Sequence, residues 1–140
     1  MRFSALGITA YVALLQPVAA NFDVYMVDVY DAIFKSHSRG WQIFEAEPGS
    51  CVDVQNAPVF WDSGDMNFSF LNGPVYHWTL YKDRGRTMVG LDGNTYGNCI
   101  VFPDGDYDCN SIFNGKEQHH GYRKFRCLTQ FTADQINHGY

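Results

Sequence analysis

Asp104, Asp106 and Asp108 alternate through Asp104-Gly105-Asp106-Tyr107-Asp108, the most charged run of the chain. Three carboxylates spaced this way can gather oxygen ligands around Ca²⁺. The EF-hand pattern is not met, because Cys109 stands where the loop glycine belongs and Gly115 where the bidentate glutamate belongs. The simpler reading is a solvated acidic turn. Lys116 to Arg126 is the basic counterpart, with Lys116, Arg123, Lys124 and Arg126 set against Glu117. It reads as an anion patch or, preferably, as a strand face whose cations neutralise the acidic run. His119 and His120 invite a metal reading, but neighbours on a strand point to opposite faces, so Gly121 would have to turn the chain. His77, His120, Arg123 and a carboxylate would make an acid–base set for RNA cleavage if they converged. Gly-x-Ser-x-Gly and Walker-loop patterns are absent, which removes serine-hydrolase and phosphate-loop chemistry.

The other reactive side chains are Cys51, Cys99, Cys109 and Cys127. An even number in an oxidising compartment reads as two disulfides, and no Cys-x-x-Cys pair argues for zinc. Three pairings are open. Cys99–Cys109 would close and pre-order the acidic loop, leaving Cys51–Cys127 to join early and late strands, and this pairing is slightly preferred.

The oxidising compartment is inferred from residues 1–20. Arg2, the apolar run Ala5 to Leu15, Pro17 and then Val18-Ala19-Ala20 form the pattern of a cleaved secretory signal. The expected product is one extracellular domain over residues 21–140, beginning at Asn21. It carries nine basic and 15 acidic residues, a formal charge of −6, so it has no general attraction for nucleic acid or anionic membrane. The expected partner is an extracellular glycan or protein, with surface rings among Trp41, Trp61 and Tyr96 stacking on sugars. No cofactor is expected apart from Ca²⁺. Asn67-Phe68-Ser69 is a glycosylation sequon, usable if Asn67 faces solvent.

These residues must be positioned mainly by strands. β-branched and aromatic residues cluster in 22–30, 40–45, 58–61, 66–70, 75–81, 87–91, 99–102 and 122–128, separated by turn signals such as Asn72-Gly73-Pro74 and Asp92-Gly93-Asn94. The class is all-β, a small Greek-key sandwich or barrel. One short helix is predicted near the end, where Thr132 and Gln135 have capping-box spacing. Asp31 to Ser38 is a second helical candidate. Trp41-Gln42-Ile43-Phe44 with Val52-Asp53-Val54 parallels Trp78-Thr79-Leu80-Tyr81 with Val89-Gly90-Leu91, the pattern of a duplicated hairpin.

On Trp78 to Gly85 and Asp108 to Ile112 the chain resembles the βγ-crystallins, over roughly residues 40–128. The resemblance implies paired Greek-key motifs and a calcium-stabilised structural module. Arg86-Thr87-Met88 replaces the family's aromatic-x-Gly corner, and Asn110-Ser111 supplies only one hydroxyl of its calcium signature. In general character the chain is also similar to small secreted cysteine-containing proteins of filamentous fungi. Tyr76-His77-Trp78 resembles the strand of small secreted fungal ribonucleases that bears a catalytic Glu, with His77 in that place. With no catalytic signature, a non-catalytic binding or effector-like protein is preferred to a ribonuclease-like hydrolase.

Overall fold

The computed structural model describes residues 20–61, 67–72, 76–81 and 85–138. Residues 1–19 of the predicted signal and the side chains of Asn67, His77 and Trp78 lie outside what it describes. The strands are β1 (Ala20–Asp31), β2 (Ser36–Phe44), β3 (Phe60–Trp61), β4 (Asn67–Asn72), β5 (Tyr76–Tyr81), β6 (Thr87–Gly90), β7 (Thr95–Val101), β8 (Tyr107–Ile112) and β9 (Glu117–Thr129). The helices are α1 (Cys51–Asn56) and α2 (Ala133–His138). The strands form one antiparallel sheet in the order β3-β2-β1-β9-β7-β6-β5-β4, and β8 pairs with β9. The all-β class, two disulfides and a short C-terminal helix are present, and the sheet is a curled half-barrel. Its curl brings β3 into contact with β4, and α2 touches β1 and β2 on one side and β4 and β5 on the other.

Two cores form because β1 is buried on both faces. Phe22 and Val24 point to the α2 side and pack with Trp41, Ile43, Leu80, Ala133 and Ile136. Tyr25 points the other way and packs with Phe44, Val54, Cys109 and Ile112 beneath α1 and β8. Thr132 N–H donates to Gln135 Oε1 (2.9 Å) and Gln135 N–H to Thr132 Oγ1 (3.1 Å), so the predicted capping box opens α2.

Four sequence expectations are corrected. Asp31 to Ser38 is not helical. It is the β1–β2 hairpin end, where Asp31 Oδ1 accepts from the amides of Ile33 (2.8 Å) and Phe34 (3.0 Å) and Lys35 turns at φ 53°. The duplicated hairpin fails in its first copy, because Cys51–Asn56 is α1, opened by Ser50 Oγ accepting from Asp53 N–H. Trp41 is a core residue, 5% exposed, rather than a surface ring. The disulfides are Cys51–Cys109 and Cys99–Cys127, not Cys99–Cys109 with Cys51–Cys127. Strand register is the cause: Cys99 and Cys127 are direct partners across β7 and β9, while α1 lies over β8. The acidic loop is therefore not closed by its own bridge.

Candidate functional site

The basic and acidic segments meet at a buried carboxylate. Asp23 is fully buried; Arg126 grips it through Nε–H to Oδ1 (2.7 Å) and Nη2–H to Oδ2 (3.0 Å), and Arg123 adds Nη1–H to Oδ2 (3.1 Å). Residues three apart on a regular strand face opposite ways. Here Tyr25 pairs with Arg123 and Val24 with Phe125, so Lys124 is a bulge and both arginines share one face. Phe102 lies against both guanidinium groups, 4.3 and 4.1 Å from its ring centre. The Asp23 bonds hold the Arg126 guanidinium above its usual range, against a smaller opposing effect of burial.

Asp104, Asp106 and Asp108 do separate jobs. Asp104 opens a left-handed turn with Gly105, Asp106 Oδ1 accepts from Arg123 N–H (3.0 Å), and Asp108 pairs with His120 (2.6 Å). Among the described residues, no three His, Cys, Asp or Glu side chains are grouped to hold a metal ion. The arginines of the basic segment spend their guanidinium groups on Asp23, outside the acidic run; that run meets β9 through the Arg123 backbone amide at Asp106 and the His120 ring at Asp108. His119 and His120 point to opposite faces as strand geometry requires: His119 is buried against Glu117 (2.8 Å), and His120 is half-buried against Asp108. His120 and Arg123 also lie on opposite faces of β9, so that part of the proposed RNA-cleaving set does not converge.

Tyr25 and Tyr107 sit between this cluster and α1. Tyr25 donates to the Gly105 carbonyl (2.7 Å), and Tyr107 donates to Gln42 Oε1. Tyr107 lies against Gly121 where a β-carbon would project, so glycine is required there. The buried Gln42 Nε2 group bonds the carbonyls of Val54 (3.1 Å) and Ala57 (3.2 Å), tying α1 to β2. Loss of hydration pushes the Tyr25 phenol up to about 12, despite the opposing Arg123 charge, and pushes Tyr107 up further. The neutral phenols are thus favoured by folding. Their stabilisation is complete below the ordinary tyrosine value near 10 and is lost as pH rises through the folded values. We expect alkaline unfolding that starts between about pH 10 and 12, with an upward shift of its midpoint in Tyr25→Phe. Ultraviolet titration followed with circular dichroism checks this; if all tyrosines ionised together while the fold persisted, the burial account would fail.

Unspent polar atoms and exposed rings coincide at a cleft of about 460 Å³. Its lining includes Gln55 of α1, Trp61 of β3, Phe113 of the β8–β9 turn, Glu117 and His119 of β9, and Asn137 of α2. Trp61 is 61% exposed and Phe113 45%. Phe113 holds φ 52°, an unusual conformation for a bulky residue, and its amide donates to Gln55 Oε1 (2.9 Å). His119 is 2% exposed; its Nε2 contacts Glu117, and its buried Nδ1 has no partner among the described residues. Asn137 Nδ2 donates to the Ile43 carbonyl (3.0 Å), leaving Oδ1 likewise buried and unpaired. Unpaired buried polar atoms are costly, so two beside one cleft mark it for a ligand.

Of these residues, sequence reading gave a ligand-binding role only to Trp61, as a sugar-stacking ring, and His119, as half of a metal pair; Glu117 entered as a counter-charge. Tyr96, another proposed ring, instead bonds Asp92 at the β6–β7 turn. Gln55, Phe113, Glu117 and Asn137 come from separate segments that no local pattern joins. The one available signal was Ser50-x-x-Asp53, which has helix-capping spacing and would have placed Gln55 on a helix. Among the described residues no helix is long and apolar enough to cross a membrane. The two disulfides are compatible with an extracellular protein. No family model matches the chain, and neither does any curated protein or solved structure.

Proposed function

We propose that this chain is a secreted, non-catalytic binding domain whose ligand is an extracellular glycan held in the Trp61 cleft. The carrying observation is the pairing of two exposed rings with two unspent polar atoms. His119 Nδ1 and Asn137 Oδ1 are the polar atoms left without a partner there. A sugar supplies the complement: hydroxyl donors on its rim and an apolar face that stacks on an indole. The residues 1–20 pattern and the two bridges support action outside the cell.

The test is a glycan array followed by titration calorimetry on the refolded, oxidised protein. Trp61→Ala should weaken binding by about tenfold or more, as loss of a ring anchor does. Its melting temperature should stay close to the parent's, because the indole is mostly exposed. Failure of every glycan to bind, or unchanged affinity in Trp61→Ala, would refute the reading. The Glu117–His119 contact gives a second, hydrolytic reading one foothold; RNA degraded by the parent and spared by His119→Ala would favour it.

A further inference from the structure

We infer that the paired ends of the β1–β2 and β8–β9 hairpins form a docking surface for a lipid bilayer bearing anionic headgroups. The two ends are adjacent: Asp31 and Glu117 are cross-strand partners, and Ala32 N–H donates to the Lys116 carbonyl (2.9 Å). Ile33 is 63% exposed, Phe34 79% and Phe113 45%. Three large apolar side chains therefore stand at one extremity of an otherwise acidic chain, with Lys35 and Lys116 exposed beside them.

The chemistry of the ends selects lipid over protein. Apolar side chains on protruding turns enter a bilayer interface readily, whereas a specific protein interface buries about 1,200 Å² or more, which three tip residues do not supply. Lysines beside such residues keep their stems in the apolar layer and their ammonium groups at the phosphates. Backbone amides entering that layer must already be bonded. Those of Ala32, Ile33 and Phe34 are bonded, to Lys116 O and Asp31 Oδ1, and Lys116 N–H donates to Phe113 O (3.3 Å). The Asp31 carboxylate, which would repel a headgroup, is thus turned inward onto the hairpin. The acidic remainder is repelled by the same surface, so the contact is oriented on the two ends.

Sedimentation with phosphatidylcholine vesicles, with and without phosphatidylserine, tests the surface. The parent protein should bind the serine-containing vesicles, and Ile33→Ser/Phe34→Ser should reduce the partition coefficient about tenfold. That variant leaves Trp61 and Phe113 in place, so glycan binding should persist and the two readings fail separately. Phe34→Trp should show a blue-shifted emission on the vesicles. An unbound parent, an unaffected double variant, or an unshifted Phe34→Trp emission would each overturn the inference. Concentration-dependent dimerisation abolished by the double variant, without vesicle binding, would also overturn it and assign the surface to a second copy of the chain.

Discussion

Asp23→Ala should lower stability by about 3–5 kcal/mol, the largest loss expected from one substitution that spares both disulfides. The charge balance at the site gives the reason. Asp23 is a single buried carboxylate holding two guanidinium groups, of which Arg123 is 11% exposed at its side chain and Arg126 28%. Its removal leaves two partly desolvated cations together beside Phe102, with no counter-charge at that position. Arg123→Ala should cost less, since Arg126 keeps its two-point contact. Chemical denaturation of the three proteins reads the difference directly. A loss below about 1 kcal/mol for Asp23→Ala would mean the cluster behaves like an ordinary surface pair. Asp23→Asn should fall between, because an amide oxygen still accepts one arginine bond.

The second large effect concerns the bridges, and its interest is where the damage falls. The Cys51–Cys109 bridge spans 58 residues and Cys99–Cys127 spans 28. Loop-closure entropy then assigns each about 4 kcal/mol, with the longer loop slightly ahead. That is comparable with much of a small domain's total stability, so either double Cys→Ser variant should be close to unfolded on mild heating. The local consequences differ. Cys99 and Cys127 are buried within paired strands, whereas Cys51 is exposed at the start of α1. Limited dithiothreitol should therefore open Cys51–Cys109 first. Once open, α1 and Gln55 are held mainly by Val54 packing and the Gln42 bonds. The cleft should lose its ligand before the sheet loses its circular dichroism. Alkylation with peptide mapping gives the order of reduction, and prior opening of Cys99–Cys127 would refute the account.

The readable parts of this chain are those set by neighbours in sequence. Clustered β-branched and aromatic residues such as Phe22, Val24, Tyr25 and Val27 disclose strands, and Thr132 with Gln135 discloses a helix start, because each pattern closes within a few residues. α1 was missed for the converse reason. Val52 and Val54 are β-branched, and six residues are too few for helical periodicity to show; Ser50 and the Cys51 bridge hold them in place instead. The disulfide partners depend on the register of β7 against β9, which lies in no local window. The cleft depends on five such placements at once. His119 was visible as a residue type, but its unpaired Nδ1 exists only after β8 has covered β9. The even spacing of the acidic run offered one ion beside the simpler reading of a solvated turn; the fold sends Asp106 to a backbone amide and Asp108 to His120.

The bulge at Lys124 makes β9 forgiving of a change in length at one place. Removing Lys124 would join Arg123 to Phe125 as successive residues of a regular strand, opposite Tyr25 and Val24 as they are now. Both arginines would still face Asp23, and Phe125 and Cys127 would still face the α2 side. Removing Tyr122 instead would carry every residue on one side of the gap to the wrong face. A deletion scan along β9 should therefore leave a single survivor, at a lysine whose substitution also matters little. Ordinary amino-acid replacement would not single that position out; only the count of residues would.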